Sequence, residues 1–455
     1  MPQEEKKRPI NRLQSMYALR ALYDEISQTG LDAKKEGRPV AWSMTEPWGG
    51  PILAVMGIES IFPENYGTVC AAAGAAAPFL ERAEAEGFPS HLCGYARNCL
   101  GYTAMMTDTG EIPPEAPGGG MPKPILLVSS GAICDARFKW FQALGRYLDA
   151  PVYTLESPAP GAREGLMEGA YEHNVEFLVK GLWDFVAFLE NLLGKKADLD
   201  KLTETRDDLR DMNRVWWEAN DLRKARPGPM HSRDFWSSMS ASFLRAQDPK
   251  AATELYRQMY DEIKHRVDNK IAGINREERY RLVFDGLPPW HSLRFFDELA
   301  ERGWNFVTET YYHPGKPRDV DVSMYSDPIE RYVRSRYQPY EHYLDTEFEP
   351  EEIAKIKEDI KRQGFSNKTA VRYAREYQID GAFMHTLLTC RGTTAPLMRS
   401  QAQLMEVWKV PSLIIEGDIV DLSLFDPADA LRKAEAFEET MDHYKRVRKE
   451  EGLEW

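Results

Sequence analysis

Five cysteines, Cys70, Cys93, Cys99, Cys134 and Cys390, are the side chains of this 455-residue sequence with the clearest capacity for chemistry. None forms a C-x-x-C pair, so neither a zinc ribbon nor a disulfide framework fits their spacing, and a reducing compartment is expected. Each thiol is therefore judged by its neighbours. Cys134 lies in SSGAICDARFKWFQAL, between an apolar run and a helical pattern, and Cys390 repeats that placement where GAFMHTLLTC runs into RGTTAPLMRSQ. A thiol at such a strand-to-helix turn sits at the carboxyl edge of a sheet, where ligands bind in open α/β folds and where helix amides favour a thiolate. Cys93, in HLCGYARNCLGY, enters a helix expected from Tyr95, and Cys99 six residues on points to another side of it. For any single cysteine the plainer role is a small buried hydrophobe, which suits Cys70 in VCAAAGAAA best.

Carboxylates form the second set. Glu46 follows a strand pattern and suits either proton transfer, if burial raises its pKa, or capping of the helix after Pro47. Glu416, Asp418 and Asp421 close the strand pattern in LIIEGDIVD, either as an acidic site or as loop and N-cap residues. Trp290 and His291 in LPPWHS stand at another strand end and are candidates to line a cleft.

The elements that must position these residues follow from apolar periodicity. Strands are expected at Val40–Met44, Ile125–Ser129 and Pro151–Glu156, with helices at Ile52–Met56, Ala71–Glu86 and Phe138–Tyr147 between or beside them. PPEAPGGGMPKP is loop. A second strand set falls at Arg281–Asp285, Asn305–Thr310, Gly381–Thr386 and Pro411–Glu416, separated by helices such as Leu293–Arg302 and Ser400–Trp408. The fold class is thus α/β, with two doubly wound, Rossmann- or flavodoxin-like parallel-sheet domains. Residues 171–277 carry long amphipathic patterns with Trp183, Trp216, Trp217 and Trp236 and read as a helical domain. The full division is an N-terminal helical arm (1–39, a helix over Glu4–Thr29 stopped at Gly30), a first α/β domain (40–170), the helical domain, a second α/β domain (278–425) and a C-terminal helix (426–455).

Composition narrows the function classes. Lys and Arg number 58 against 72 Asp and Glu, a net charge of −14, which disfavours nucleic-acid binding but leaves room for a local basic pocket. The charged N-terminus and the lack of a long uncharged apolar run predict a cytoplasmic protein without membrane spans.

The segments HLCGYARNCLG, SSGAICDARFKWFQALGRYL, RYRLVFDGLPPW and CRGTTAPLMRSQAQLMEVWKVPSLIIEGDIVD, taken in order and spacing over about Val40 to Asp421, resemble the benzoyl-CoA reductase and 2-hydroxyacyl-CoA dehydratase family. The resemblance implies a [4Fe-4S] cluster, single or fused into a double cubane, held by Cys93, Cys134 and Cys390, with Cys99 as a fourth ligand, a neighbouring thiol or helix packing. Three thiolates leave one iron open to substrate or to a second cluster. It implies further a cluster-bearing partner subunit, a separate ATP-hydrolysing iron–sulfur activator, an acyl-CoA substrate and a catalytic carboxylate at Glu46. The sequence has no G-x-x-x-x-G-K-[ST] loop, in keeping with ATP use elsewhere. Subunit length, PENYGTVCAAAGAA and CGYARNCLGY incline the expectation to a class I benzoyl-CoA reductase; a 2-hydroxyacyl-CoA dehydratase and a noncatalytic electron relay are the alternatives.

Overall fold

The computed structural model describes residues 8–45, 48–131, 134–158, 163–245, 248–363, 369–453 and 455. Two four-stranded, all-parallel sheets organise it. The first comprises β1 (Val40–Ser43), β2 (Glu59–Ile61), β3 (Leu126–Ser129) and β4 (Val152–Thr154) in the order β2-β1-β3-β4. The second comprises β5 (Tyr280–Asp285), β6 (Trp304–Glu309), β7 (Gly381–Leu387) and β8 (Ser412–Gly417) in the order β6-β5-β7-β8. Trp42 pairs with both Leu127 and Ile61, and Leu282 with both Gly381 and Phe306, so β1 and β5 are each flanked on both edges.

Both sheet faces are covered, so the strands carry apolar stretches, unbroken but for the terminal serine in β1 (VAWS) and β3 (LLVS) and interrupted by polar residues in β5 (YRLVFD), β6 (WNFVTE) and β8 (SLIIEG). In the first sheet Val40, Trp42 and Leu127 face the main core, which includes Phe141 and Leu144 of the helix Asp135–Leu148. The intervening Ala41, Leu126 and Val128 face a separate cluster with Val175, Leu178, Leu182, Phe185 and Leu189 of the helix Ala170–Leu193. Period two in the strand meets periods of three and four in the helix. The helix Pro328–Arg336, from far along the chain, adds Ile329, Tyr332 and Val333 to that cluster. In the second sheet Leu282, Phe284, Phe306 and Phe383 face the main core, where Phe437 and Met441 of the helix Pro427–Glu450 also lie. A Cβ at Gly381 would stand 2.7 Å from Met441 Sδ, so glycine lets helix and strand approach. Each fully buried large apolar side chain contributes about 1.5–3 kcal/mol.

Three expectations need correction. The N-terminal helix spans Ser15–Lys35 and passes through Gly30, which is buried against Ile61 and permits close packing instead of ending the helix. The helix expected over Ala71–Glu86 is two helices, Pro63–Ala72 and Ala77–Ala85, parted at Gly74 (φ +70°), because the alanine run carries no apolar stripe to keep one axis on the core. Between β6 and β7 stand the helices Pro328–Arg336, Tyr340–Glu347, Pro350–Gln363 and Thr369–Glu376, to which no element was assigned from sequence. Within 171–277 no strand occurs among the described residues, and Arg223, at the middle of that region, makes a bidentate pair with Glu309 of β6 at 2.7 and 2.9 Å. No helix among the described residues is long and apolar enough to cross a membrane.

The two sheets share one topology. In each, the chain leaves the central pair toward one edge and returns on the other side, so a switch point opens between β1 and β3 and between β5 and β7. Ligands bind outside the carboxyl ends of strands at such points.

Candidate metal centre

The turns leaving both switch points line one cavity of about 430 Å³, within the usual range for ligand pockets. Thr45 follows β1, Cys134 follows β3, Leu287 follows β5 and Cys390 follows β7, and all four residues line it. Cys93 reaches it from the loop before the helix Gly94–Thr109. Cys93, Cys134 and Cys390 each occupy the N-cap of the helix that follows, where an oxygen-bearing side chain is usual. Three chain segments distant in sequence therefore bring three thiols to one wall-to-wall space. Among the described residues no three Cys, His, Asp or Glu side chains converge tightly enough to hold one metal ion.

The N-cap amides act as expected but do not decide the charge state. Burial pushes the Cys93 thiol up to about 12, with the nearby Cys390 adding to the rise, while the N–H groups of Ala96 and Tyr95 oppose it. Burial also raises Cys134, against the N–H and charge of Arg137. Desolvation outweighs the helix amides, so without a metal these two thiols stay protonated at neutral pH.

Cys93 and Cys390 are tied together through their neighbours. Gly94 N–H donates to Thr389 Oγ1 at 3.3 Å, and Thr389 Oγ1 donates to Asp418 Oδ2. Asp418 Oδ1 in turn accepts from the N–H groups of Val420 and Asp421, both at 2.9 Å. Arg97, fully buried, closes the junction by bridging Glu84 and Asp421, each at 2.8 Å. Of the acidic group read from sequence, Asp418 and Asp421 thus brace the loop beneath Cys390, and Glu416 is exposed.

Several site residues were not singled out from sequence. Arg137 Nη2 donates to Glu64 at 2.5 Å and to Thr45 Oγ1 at 2.9 Å, which places a buried ion pair beside Cys134. The signal was present: Arg137 stands three residues after the N-cap Cys134, on the same face of its helix. Tyr95, Tyr311 and Tyr312 supply aromatic walls. Tyr312 holds a left-handed φ of 64°, a conformation that costs about 1–2 kcal/mol for a residue with a Cβ. Trp290 does not line the cavity; its Nε1 donates to Tyr95 Oη at 2.5 Å and so fixes that ring. His291 contacts the Asp418 carbonyl at 3.0 Å, away from the thiols. Cys99 is fully buried in the core beside Trp140 and Thr103, and Cys70 is buried likewise; neither lines the cavity. Glu46 lies outside the described residues.

Residues 51–441 match the family model for the 2-hydroxyglutaryl-CoA dehydratase D-component. The chain is 25% identical to the (R)-phenyllactyl-CoA dehydratase alpha subunit of Clostridium sporogenes over 68% of this chain and 72% of that one. It is 24% identical to the (R)-2-hydroxyisocaproyl-CoA dehydratase alpha subunit of Clostridioides difficile, covering 92% and 94%. It is 26% identical to a benzoyl-CoA reductase subunit of Thauera aromatica, covering 79% of each. With the family model spanning most of the sequence and both enzyme types among its relatives, the chain belongs to the benzoyl-CoA reductase and 2-hydroxyacyl-CoA dehydratase family.

Proposed function

We propose that this chain is the iron–sulfur subunit of an ATP-dependent, class I benzoyl-CoA reductase-type enzyme, with Cys93, Cys134 and Cys390 holding a [4Fe-4S] cluster next to an aromatic acyl-CoA. The supporting observation is the shared cavity: three N-cap thiols from three separate segments face it. Soft thiolates select iron–sulfur clusters, and a cubane attaches each thiolate to a different iron, so its ligands stand further apart than those of a single ion. When bound, such a cluster supplies low-potential electrons one at a time.

The remaining roles belong to the chain's own residues. The cavity's tyrosines and Leu209, Met212, Leu287 and Ile419 exclude water and suit a planar aromatic acyl group. The Arg137–Glu64 pair places a fixed, internally compensated charge beside the thioester. We assign proton transfer to Glu46, whose neighbour Thr45 lines the cavity. Cys99, in the core, is assigned to packing; a cluster held by Cys93, Cys134 and Cys390 alone would keep one iron free for substrate, as a catalytic subunit needs and a relay does not. Relatives that are themselves named as subunits of larger enzymes support a cluster-bearing partner chain, and the missing phosphate-binding loop supports a separate ATP-hydrolysing activator.

The second reading is a 2-hydroxyacyl-CoA dehydratase subunit, supported by the (R)-2-hydroxyisocaproyl-CoA relative matching more of this chain than the reductase relative does. Anaerobic co-purification with the partner and activator, iron and sulfide analysis, and ATP-dependent turnover decide between them. Ring reduction of benzoyl-CoA is expected; loss of water from a 2-hydroxyacyl-CoA replaces the first reading with the second, and iron-free protein with turnover overturns both.

A further inference from the structure

The turn leaving β6 runs Tyr311-Tyr312-His313-Pro314, and the residues on either side of Tyr312 are pinned. Before it, the Thr310 N–H donates to the Phe284 carbonyl at 3.1 Å and Thr310 Oγ1 donates to Asp285 Oδ1, which ties the turn to β5. After it, the His313 Nε2 lies 3.0 Å from Tyr377 Oη, and the imidazole sits 4.9 Å from the Tyr373 ring and 6.1 Å from that of Phe235. A chain fastened at both ends accounts for the left-handed φ of 64° at Tyr312, a conformation that a residue with a Cβ otherwise avoids. Strained residues of this kind persist only where the surroundings over-determine them, and they gather at ligand clamps.

The side chain held there stands between the cysteine cavity and solvent. Tyr312 lines the cavity and is 41% exposed, whereas Tyr95, Leu209, Met212, Leu287 and Ile419 of the same lining are each 7% exposed or less. Its hydroxyl feels the charges of Glu64 and Arg137, which belong to the first-sheet wall, and of Cys390, which belongs to the second. A ring carried by the second domain therefore stands close to the wall of the first. A large aromatic ring fixed at such a boundary excludes water from the space behind it and limits what can occupy that space.

We propose that Tyr312 is a specificity-determining residue of the acyl site: its ring closes the solvent side of the cysteine cavity and sets the upper size of the acyl group the cavity admits. The assignment rests on reading the cysteine cavity as the acyl site. Glycine adopts a φ of this sign freely, so Tyr312→Gly removes the ring and leaves the turn in place. The first readout needs neither cluster nor turnover. In the iron-depleted full chain, Cys134 and Cys390 are labelled with a bulky aromatic disulfide and with a small alkyl thiosulfonate, and the ratio of the two rates cancels any change in thiolate fraction. That ratio rises severalfold in Tyr312→Gly, while the buried Cys70 and Cys99 stay unlabelled. Tyr312→Phe keeps the ring and labels as slowly as the native chain; labelling like the glycine variant overturns the assignment to the ring. In the active complex, the kcat/KM preference for benzoyl-CoA over 2-naphthoyl-CoA falls roughly 10- to 100-fold in Tyr312→Gly. An unchanged labelling ratio, or a raised ratio with an unaltered acyl preference, overturns the proposal. A raised ratio in a chain that takes up no iron supports the closing role of Tyr312 and overturns the cluster reading alone. Thermal unfolding reports whether the variant is folded. If it is not, Tyr312→Asn, which also tolerates this φ, takes its place, and the native complex must itself discriminate between the two thioesters; equal kcat/KM refutes the size limit.

Discussion

Replacing Gly94 by alanine tests whether the junction beneath the cysteines sets their positions. A Cβ there would lie 2.5 Å from Asp418 Oδ1 and 3.1 Å from Val420 Cβ. A carboxylate is normally an easy neighbour to displace, but this one is held by two backbone N–H groups at 2.9 Å and by Thr389, the residue before Cys390. Relief therefore requires either the Asp418 loop or the start of the Gly94–Thr109 helix to move. Overpacking costs about 1–3 kcal/mol, and one further lost hydrogen bond about 1 kcal/mol. Together these give roughly 2–4 kcal/mol. Since the Gly94 N–H also bonds Thr389 at 3.3 Å, the displacement separates Cys93 from Cys390. Anaerobically purified Gly94→Ala should unfold at lower denaturant and carry markedly less iron and sulfide. Gly181→Ala, a helix position with nothing within 4 Å of the added carbon, is the control and should be neutral or slightly stabilising. Full iron retention in Gly94→Ala with unchanged stability would refute the argument that this junction spaces the two thiols.

Cys134→Ser and Cys390→Ser should each abolish the brown cluster absorbance while Cys70→Ser and Cys99→Ser keep it, read by iron analysis; a Cys390→Ser protein with its full iron content removes the cluster assignment. Arg223→Met leaves Glu309, 1% exposed, as an uncompensated buried charge and should cost about 3–5 kcal/mol in denaturant unfolding; a loss below about 1 kcal/mol shows that the pair does not fasten the helical region to β6. His385 is buried with Nδ1 2.6 Å from the Leu287 carbonyl, so that nitrogen carries the proton, and Nε2 has no partner. Burial lowers its pKa from 6.5 to about 4, which corresponds to about 3 kcal/mol. The unfolded chain takes up the proton first, so this stability is complete above pH 6.5 and is lost as pH falls toward 4; His385→Gln should flatten the stability profile in that window, and an unaltered slope would exclude the assignment.

Much of the fold was legible because strands of a covered parallel sheet carry apolar stretches, and among the described residues seven of the eight strands coincide with such a stretch. The exception, β2, is three residues long at a sheet edge and too short to carry a pattern. Helix ends were harder. Gly30 looked like a stop, yet in the fold it is a contact surface for Ile61, and nothing local distinguishes the two uses of glycine. The helices between β6 and β7 went unassigned, although Ile329, Tyr332 and Val333 complete the cover of a sheet lying far earlier in the chain.

The sequence by itself determined the fold class, the helical character of 171–277 and the position of Cys134 and Cys390 at strand-to-helix turns, since these depend on periodicity over a few neighbouring residues. Only the tertiary structure decided which groups meet. That two sheets of one topology aim their switch points at a single cavity, that Glu64 pairs with Arg137 there and that Tyr312 stands between that cavity and solvent are results of packing between segments far apart in the chain. Charge state was likewise a tertiary matter: helix amides promised thiolates, and desolvation, which depends on everything packed around the sulfur, raises the Cys93 and Cys134 thiols instead.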